Sequence, residues 1–389
     1  MKAKIPANVV WLGFVSLFND IASEMIYPIV PIFLTAVLGA PMAVIGLIEG
    51  VAESTASLLK VFSGWFSDLI GKRKPLTVFG YSFSTISKLF LALAYAWPMV
   101  LLARFIDRFG KGIRVAARDA LIADSTEPGS RGAVFGFHRA MDTLGAVGGP
   151  LLAMGLMALF HDRFRLIFVI SFIPALIGVI ILQLFVKEVR KPTPPKERLK
   201  VGWRDFGARY NWFLLISLIF SLGNSSDVFL ILRSKDLGLS TFLVVFAYVI
   251  YNVTYAGLSY PAGLMADKIG YRKVIFAGFF IFALVYAGFA LTTSAVSVWV
   301  LFAVYGFYIA FTEGVSKAYI ADLAPKDQVG TAIGLYYTVT GVAVLFASLA
   351  AGWLWGTYGP AGPFYYGAVM ALLACALFVV SLPILKGVK

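Results

Sequence analysis

The sequence predicts an all-α membrane protein with twelve transmembrane helices arranged as two six-helix bundles. Three observations predict it. Of 389 residues, 60% are hydrophobic and 14% charged, where a soluble domain is nearer half apolar and about a quarter charged. The mean hydropathy is +0.86. The apolar residues fall into long runs separated by short polar gaps, and one charged turn is written twice, 199 positions apart.

A helical span needs about 20 mostly apolar residues. Runs of that kind lie near 8–37, 42–69, 76–95, 98–123, 132–160 and 165–186, then near 210–232, 241–266, 274–293, 297–321, 329–357 and 362–385. Several exceed the minimum, which implies tilt. Pro28, Pro31, Pro150, Pro174 and Pro261 lie inside them and predict kinks that neighbouring helices accommodate. Between the two sets of six stands KEVRKPTPPKERLKVGWRDFGAR, Lys187–Arg209, which is polar, basic and proline-bearing. The expected domains are an N-terminal six-helix bundle (1–186), a cytoplasmic basic linker (187–209) and a C-terminal six-helix bundle (210–389).

The net charge of +13 does not indicate a nucleic-acid partner, because the bases cluster between apolar runs. With the N-terminus placed in the cytoplasm, 20 Lys and Arg fall in inner segments, 4 in outer loops and 9 within spans. That bias puts both termini inside. A multi-pass protein of the cell inner (plasma) membrane is expected, monomeric, with the lipid bilayer as its surroundings. Cys375 is the sole cysteine, so no intrachain disulfide can form. The first apolar run is too long for a signal-peptide core, carries Asp20 and Glu24, and has no obvious cleavage site. His138 and His161 are too few and too separate for most catalytic sites, and no phosphate-binding glycine loop is present. The reading is therefore no enzyme, no cofactor and no resident metal.

GWFSDLIGKRKP, Gly64–Pro75, returns as GLMADKIGYRKV, Gly263–Val274. ALIADSTEPGSRGAVFG around Asp124 is echoed around Asp322, and SLFN ending at Asn19 is echoed by SLGN ending at Asn224. Parallel six-helix repeats joined by a linker describe one transporter architecture. The doubled turn resembles G-x-x-x-D-x-x-G-[RK]-R-[RK], the loop motif of the major facilitator superfamily. The first copy fits every position, and the second has Tyr271 where a base is usual. The resemblance implies secondary transport by alternating access. It also implies a latch where the halves meet, formed by Gly64, Asp68, Gly71 and Arg73 with Asp124, and by Asp267 and Arg272. The glycines allow close approach, Asp68 suits a helix N-terminus, and Arg73 can bridge to Asp124. A positive-inside anchor alone would explain Lys72 to Lys74 but neither the glycines nor the repetition.

Charge inside a span costs about 2.5–3.5 kcal/mol on insertion scales and marks function by default. Eight of the nine bases within spans lie in the first half. Asp20 and Glu24 are i,i+4 neighbours on the first span, and Glu49 and Glu53 repeat the spacing on the second. Arg104, Asp107, Lys111, Arg114 and Arg118 step by three and four along the fourth. Carboxylates on spans one and two facing these bases can hold a shared proton, and proton coupling is assigned to Asp20, Glu24 and Arg104, with Asp142 as a further acid. A purely structural ion-pair network is the alternative, and it is the reading for Glu49, Arg114, Arg118 and Asp119 near helix ends.

GFHRAMDTLGAVGGPLLA in the fifth span contains Gly136, Gly145, Gly149 and Pro150. This is similar to the superfamily's antiporter motif and implies export, although Ala153 and Met154 stand where paired glycines are usual. Plain close packing of helices is the alternative. In the second half Tyr248, Tyr251, Asn252 and Tyr255 share a face, as do Tyr305, Tyr308, Phe311 and Thr312. With Asn224 and Asp227, such a wall can stack on and hydrogen-bond an organic molecule, or it can be ordinary core. The substrate residues assigned are Asn19, Arg108, Asn224, Asp227, Tyr251, Asn252, Tyr255 and Tyr308. The expected function is proton-coupled export of small organic compounds. The alternatives are proton-coupled import of a charged metabolite held at Arg104 or Arg108, and export of a divalent metal by oxygen ligands.

Overall fold

The computed structural model describes residues 5–70, 72–126, 131–161, 163–189, 206–325 and 328–381, with the backbone alone at 61, 64–70 and 131–133. These residues are helical throughout, with no strand among them. The helices are α1 (Ala7–Ile26), α2 (Val30–Ile32), α3 (Met42–Ile70), α4 (Lys74–Ala92), α5 (Trp97–Asp124), α6 (Arg131–Phe160), α7 (Phe164–Phe185), α8 (Ala208–Gly223), α9 (Val228–Asp236), α10 (Thr241–Ile269), α11 (Tyr271–Leu291), α12 (Ser297–Leu323), α13 (Val329–Tyr358) and α14 (Gly362–Val380). A π-helical turn, Phe33–Val37, continues α2.

Helix ends follow local chemistry. Pro75 and Pro98 sit in the first turns of α4 and α5, where a missing N–H is harmless. Ser240 caps α10 by accepting from Leu243 N, and α10 stops at Gly270 with φ +95°, a conformation suited to glycine. Pro150, Pro174 and Pro261 stay inside α6, α7 and α10. Two expected spans are broken. The first stops at Ile26 ahead of Pro28, which lacks an N–H. The seventh divides into α8 and α9 at Asn224–Asp227, where Asn, two Ser and Asp favour local hydrogen bonds over helix.

Ten of the described helical runs are long and apolar enough to cross a membrane. The expected spans near 76–95 and 98–123 form α4 and α5 but fall short of that measure, because α4 carries Lys88 among Ser and Thr and α5 carries the charged stripe. Large apolar side chains such as Leu93, Leu159, Leu184, Leu291 and Val300 stand exposed, as a lipid-facing surface requires.

The chain divides into two compact units, Met1–Ala40 with Thr55–Arg198, and Pro41–Ser54 with Leu199–Lys389. In the first, α1 packs on α6 and α7, and α4 on α5 and α7. In the second, α12 packs on α10 and α11, α14 on α11 and α8, and α13 on α8. The start of α3 belongs to this second unit. Gly46 lies against Ser348 and Gly352 of α13, and Gly50 against Leu345.

Candidate functional site

The first unit holds a cavity of about 20 Å³, room for one water. Asp20, Ser23, Glu24 and Tyr27 line it from α1 and the turn after it. Arg104, Asp107, Arg108, Lys111 and Arg114 line it from one face of α5. Four predicted residues, Asp20, Glu24, Arg104 and Arg108, therefore share one space. The Arg104 and Arg108 guanidiniums lie 5.5 and 5.9 Å from the Tyr27 ring centroid, within cation–π range. Asn19, buried beside them, places its amide 3.4 Å from Asp20 Oδ1. Behind the lining, Lys88 is fully buried, 3.5 Å from Asp107 Oδ1, and donates to Ser84 O at 2.8 Å. Arg114 stands 4.5 Å over the Tyr81 ring and donates to Ser84 Oγ.

The glycines of α6 explain how α1 presents its acids. A Cβ on Gly145 would lie 2.8 Å from Asp20 Cβ, and one on Gly149 would lie 2.7 Å from Ile21 O and 3.0 Å from Glu24 Cβ. Gly145 and Gly149 thus form the seat on which the Asp20–Glu24 stretch rests. Pro150 follows inside α6, and Gly136 meets nothing within 4 Å.

Asp142 stands outside the cavity lining. Its Oδ2 lies 3.6 Å from His138 Nδ1. His138 Nε2 is 3.0 Å from Ser16 Oγ, which is 3.1 Å from Tyr81 OH and accepts from Arg118 Nη1 at 3.0 Å. Arg118 pairs with Asp119 at 2.9 Å. Sequence reasoning passed over His138, Ser16 and Tyr81. The signal available was the i,i+4 spacing of Ser16 with Asp20 and of His138 with Asp142.

Of the loop motif, Gly71 lies outside the described residues, as do the side chain of Asp68 and linker residues 190–205. Arg73 Nε lies 3.4 Å from Asp124 Oδ2. The backbone N–H groups of Arg73 and Lys74 donate to the Glu188 carboxylate at 3.0 and 2.9 Å, so an acid from the linker caps α4, a partner the sequence did not suggest. In the second copy, Tyr271 donates to Asp267 Oδ1 at 2.9 Å, and Arg272 Nη1 is buried with no hydrogen-bond partner among the described residues.

In the second unit Asn224 donates to Tyr308 OH at 2.9 Å and Tyr305 donates to Asp227 Oδ1 at 2.7 Å. Both polar residues sit in the break between α8 and α9. Tyr251 stacks near Tyr255, and its ring lies 5.4 Å from Tyr305. Tyr255 donates to Glu313 at 2.5 Å, and Asn252 turns back to Tyr248 O at 3.0 Å. Glu49, read from the sequence as structural, is buried in the second unit and accepts from Ser226 Oγ at 3.2 Å. Among the described residues no group of three or more His, Cys, Asp or Glu could hold a metal.

The Major Facilitator Superfamily model matches residues 12–250 and 213–388, together nearly the whole chain. This chain belongs to the major facilitator superfamily. The superfamily member is 38% identical over 382 residues to an uncharacterised MFS-type transporter of Methanocaldococcus jannaschii, covering 97% of this chain and 95% of that protein. It is 27% identical to the inner membrane transport protein YajR of Escherichia coli, covering 92% and 80%. The crystal structure of a POT family transporter in complex with 5-aminolevulinic acid shares the fold, with TM-score 0.83 at 13% identity, covering 98% and 97%. The superfamily member is a multi-pass membrane transporter of small molecules, and not an enzyme.

Proposed function

We propose that this superfamily member is a proton-coupled secondary transporter of small organic compounds. It works as a monomer in the inner membrane by alternating access of two six-helix bundles, 1–186 and 210–389, with both termini cytoplasmic. The observation that carries the reading is the shared cavity of Asp20, Glu24, Arg104 and Arg108. A carboxylate there is stabilised either by a base or by a proton, so its proton affinity changes whenever the base turns to another partner. Asp20 and Glu24 carry the proton, with Asp142 as a further acid, and Arg104 adjusts their affinity. Asn19 and Arg108, with Asn224, Asp227, Tyr251, Asn252, Tyr255 and Tyr308, meet the substrate. Gly64, Asp68, Gly71, Arg73 and Asp124, with Asp267 and Arg272, latch the cytoplasmic face.

Gly145, Gly149 and Pro150 favour export by antiport through their likeness to the superfamily's antiporter motif. A second reading, proton-linked uptake of an anionic metabolite, is favoured by the two guanidiniums gathered on Tyr27. Vesicles test both. Inverted and right-side-out membranes are energised and offered labelled tetraphenylphosphonium, ethidium, benzoate and succinate. Accumulation in inverted vesicles that collapses with a protonophore supports export. Accumulation in right-side-out vesicles with the same sensitivity supports uptake. Accumulation indifferent to the protonophore refutes proton coupling.

A further inference from the structure

One polar network of the first unit extends beyond the cavity, and of its members only Asp20 and Asp142 have a role in the reading above. It is built from two pairs at the same spacing, Ser16 and Asp20 on α1 and His138 and Asp142 on α6. Ser16, Tyr81 and His138 are almost fully buried, at 1%, 1% and 4% exposure. Among the described residues Asp142 Oδ1 is also buried with no hydrogen-bond partner, and burial of an unmade acceptor is costly. We propose that His138 and Asp142 form a second proton-holding station, one helical turn from Asp20, that exchanges its proton with the coupling carboxylates. The proposal rests on the proton-coupled reading.

The valence of Ser16 supports it. A hydroxyl has one hydrogen and two lone pairs. Arg118 always donates and occupies one lone pair. The hydrogen and the other lone pair are shared between Tyr81 OH and His138 Nε2. When the ring is unprotonated at Nε2, it accepts from Ser16, and Ser16 accepts from Tyr81. When Nε2 carries a hydrogen, the ring donates to Ser16, whose own hydrogen turns to Tyr81. These two arrangements differ only in hydrogen positions. The station can therefore gain or lose a proton without moving a heavy atom. On the other ring face, Nδ1 and the Asp142 carboxylate can hold that proton between them, as imidazolium with carboxylate or as neutral ring with carboxylic acid, and no other bond forms or breaks.

Its place on the helices links it to the cavity. Asp142, Gly145 and Gly149 share a face of α6, and the seat at Gly145 touches Asp20. Asp142 and Asp20 act on each other electrostatically. Ser16 lies roughly 6 Å nearer the N-terminus of α1 than Asp20, at 1.5 Å per residue, on the side the charge bias assigns to the cytoplasm. The groups around His138 are Ser16 from α1, with Tyr81 from α4 behind it, Arg118 and Asp119 from α5, and Asp142 and Arg139 on its own helix. The guanidiniums and carboxylates among them act on the ring with opposite signs, and a change of charge at Asp20 reaches the ring through Asp142.

The sequence makes the test direct, because His138 and His161 are the only histidines and His161 is exposed at the end of α6. Histidine labelled with ¹⁵N in a His161→Gln protein, held in lipid nanodiscs, reports His138 alone. Its ring nitrogens should change charge or tautomer within the pH range over which the nanodisc-held protein stays folded. Asp20→Asn should shift that midpoint by about half a unit or more, roughly threefold in proton affinity, and Asp142→Asn should shift it further. A ring that keeps one neutral tautomer throughout overturns the station, and so does a titration that ignores Asp20→Asn. His138 stays native in these measurements, so loss of folding in a His138 variant cannot obscure the result. If His138 follows Asp20 but vesicle accumulation ignores a protonophore, the transport reading fails and the station stands. If accumulation is protonophore-sensitive and His138 is silent, the reverse holds.

Discussion

Lys88 shows most plainly what single residues do in this protein. It is fully buried, 3.5 Å from Asp107, with a backbone carbonyl as its second acceptor. Removing one partner of a buried pair leaves an uncompensated charge and costs about 3–5 kcal/mol, whereas replacing both with apolar residues can be near neutral. Lys88→Met should therefore lower the melting temperature in detergent sharply, and Lys88→Met with Asp107→Leu should recover most of the loss. A double variant no better than the single would show that Lys88 acts through something other than Asp107. The glycines of α6 make a second contrast. Gly149→Val would drive a side chain into Ile21 O and Glu24 Cβ, at about 1–3 kcal/mol for overpacking. Gly136→Ala meets open space and should leave the melt unchanged. Equal melts for the two would mean α1 is not seated where the contacts place it.

At the scale of elements, the start of α3 is the segment whose packing the sequence concealed. Gly46, Gly50, Ser348 and Gly352 let α3 and α13 approach with backbone almost touching, and a Cβ on Gly352 would lie 3.0 Å from Ala43 Cα. Gly352→Leu should lift this segment off α13. In a Cys375→Ser background, a cysteine placed at Ala43 should then react faster with a maleimide. An unchanged rate would mean the segment is held elsewhere. Helix type and the doubled turn were legible in the sequence because apolar runs and glycine spacing are local signals. That Asp20 and Glu24 share a cavity with the α5 stripe was legible because i,i+4 steps place charges on one face. The breaks after Ile26 and at Asn224–Asp227 were only half legible. Prolines and a Ser-Ser pair warn of interruption, but Pro150, Pro174 and Pro261 carry the same warning and stay helical. Glu49 was not legible at all, since its partner Ser226 lies 177 positions away and no repeat links them. His138 was hidden for the same reason, because Ser16 and Tyr81 come from two other helices.

Across the whole molecule the repeat preserves helices and divides chemistry. Eight of nine bases within the expected spans fall in the first half, while the second half sets tyrosines around Asn224 and Asp227. On that asymmetry the proposed reading assigns the energy-coupling step to the first unit and makes the following prediction for the transport cycle. Asp20→Asn and Glu24→Gln each remove a charge from a half-buried position and keep the side chain's shape, so both proteins should insert. An amide mimics the protonated acid and cannot release its proton, so the cycle of protonation stops while solute can still bind. In proteoliposomes with an imposed pH gradient, each variant should lose uphill accumulation and keep downhill exchange of the same solute. Arg104→Gln should instead keep accumulation but move its pH dependence, because it removes the base that adjusts the acids and leaves the acids in place. If Asp20→Asn and Glu24→Gln both still concentrate solute as wild type does, these carboxylates are structural and the coupling proton sits at Asp142 or Glu53. If downhill exchange disappears as well, the pair touches the solute itself, and their shared cavity with Arg104 and Arg108 is a substrate site rather than a proton site.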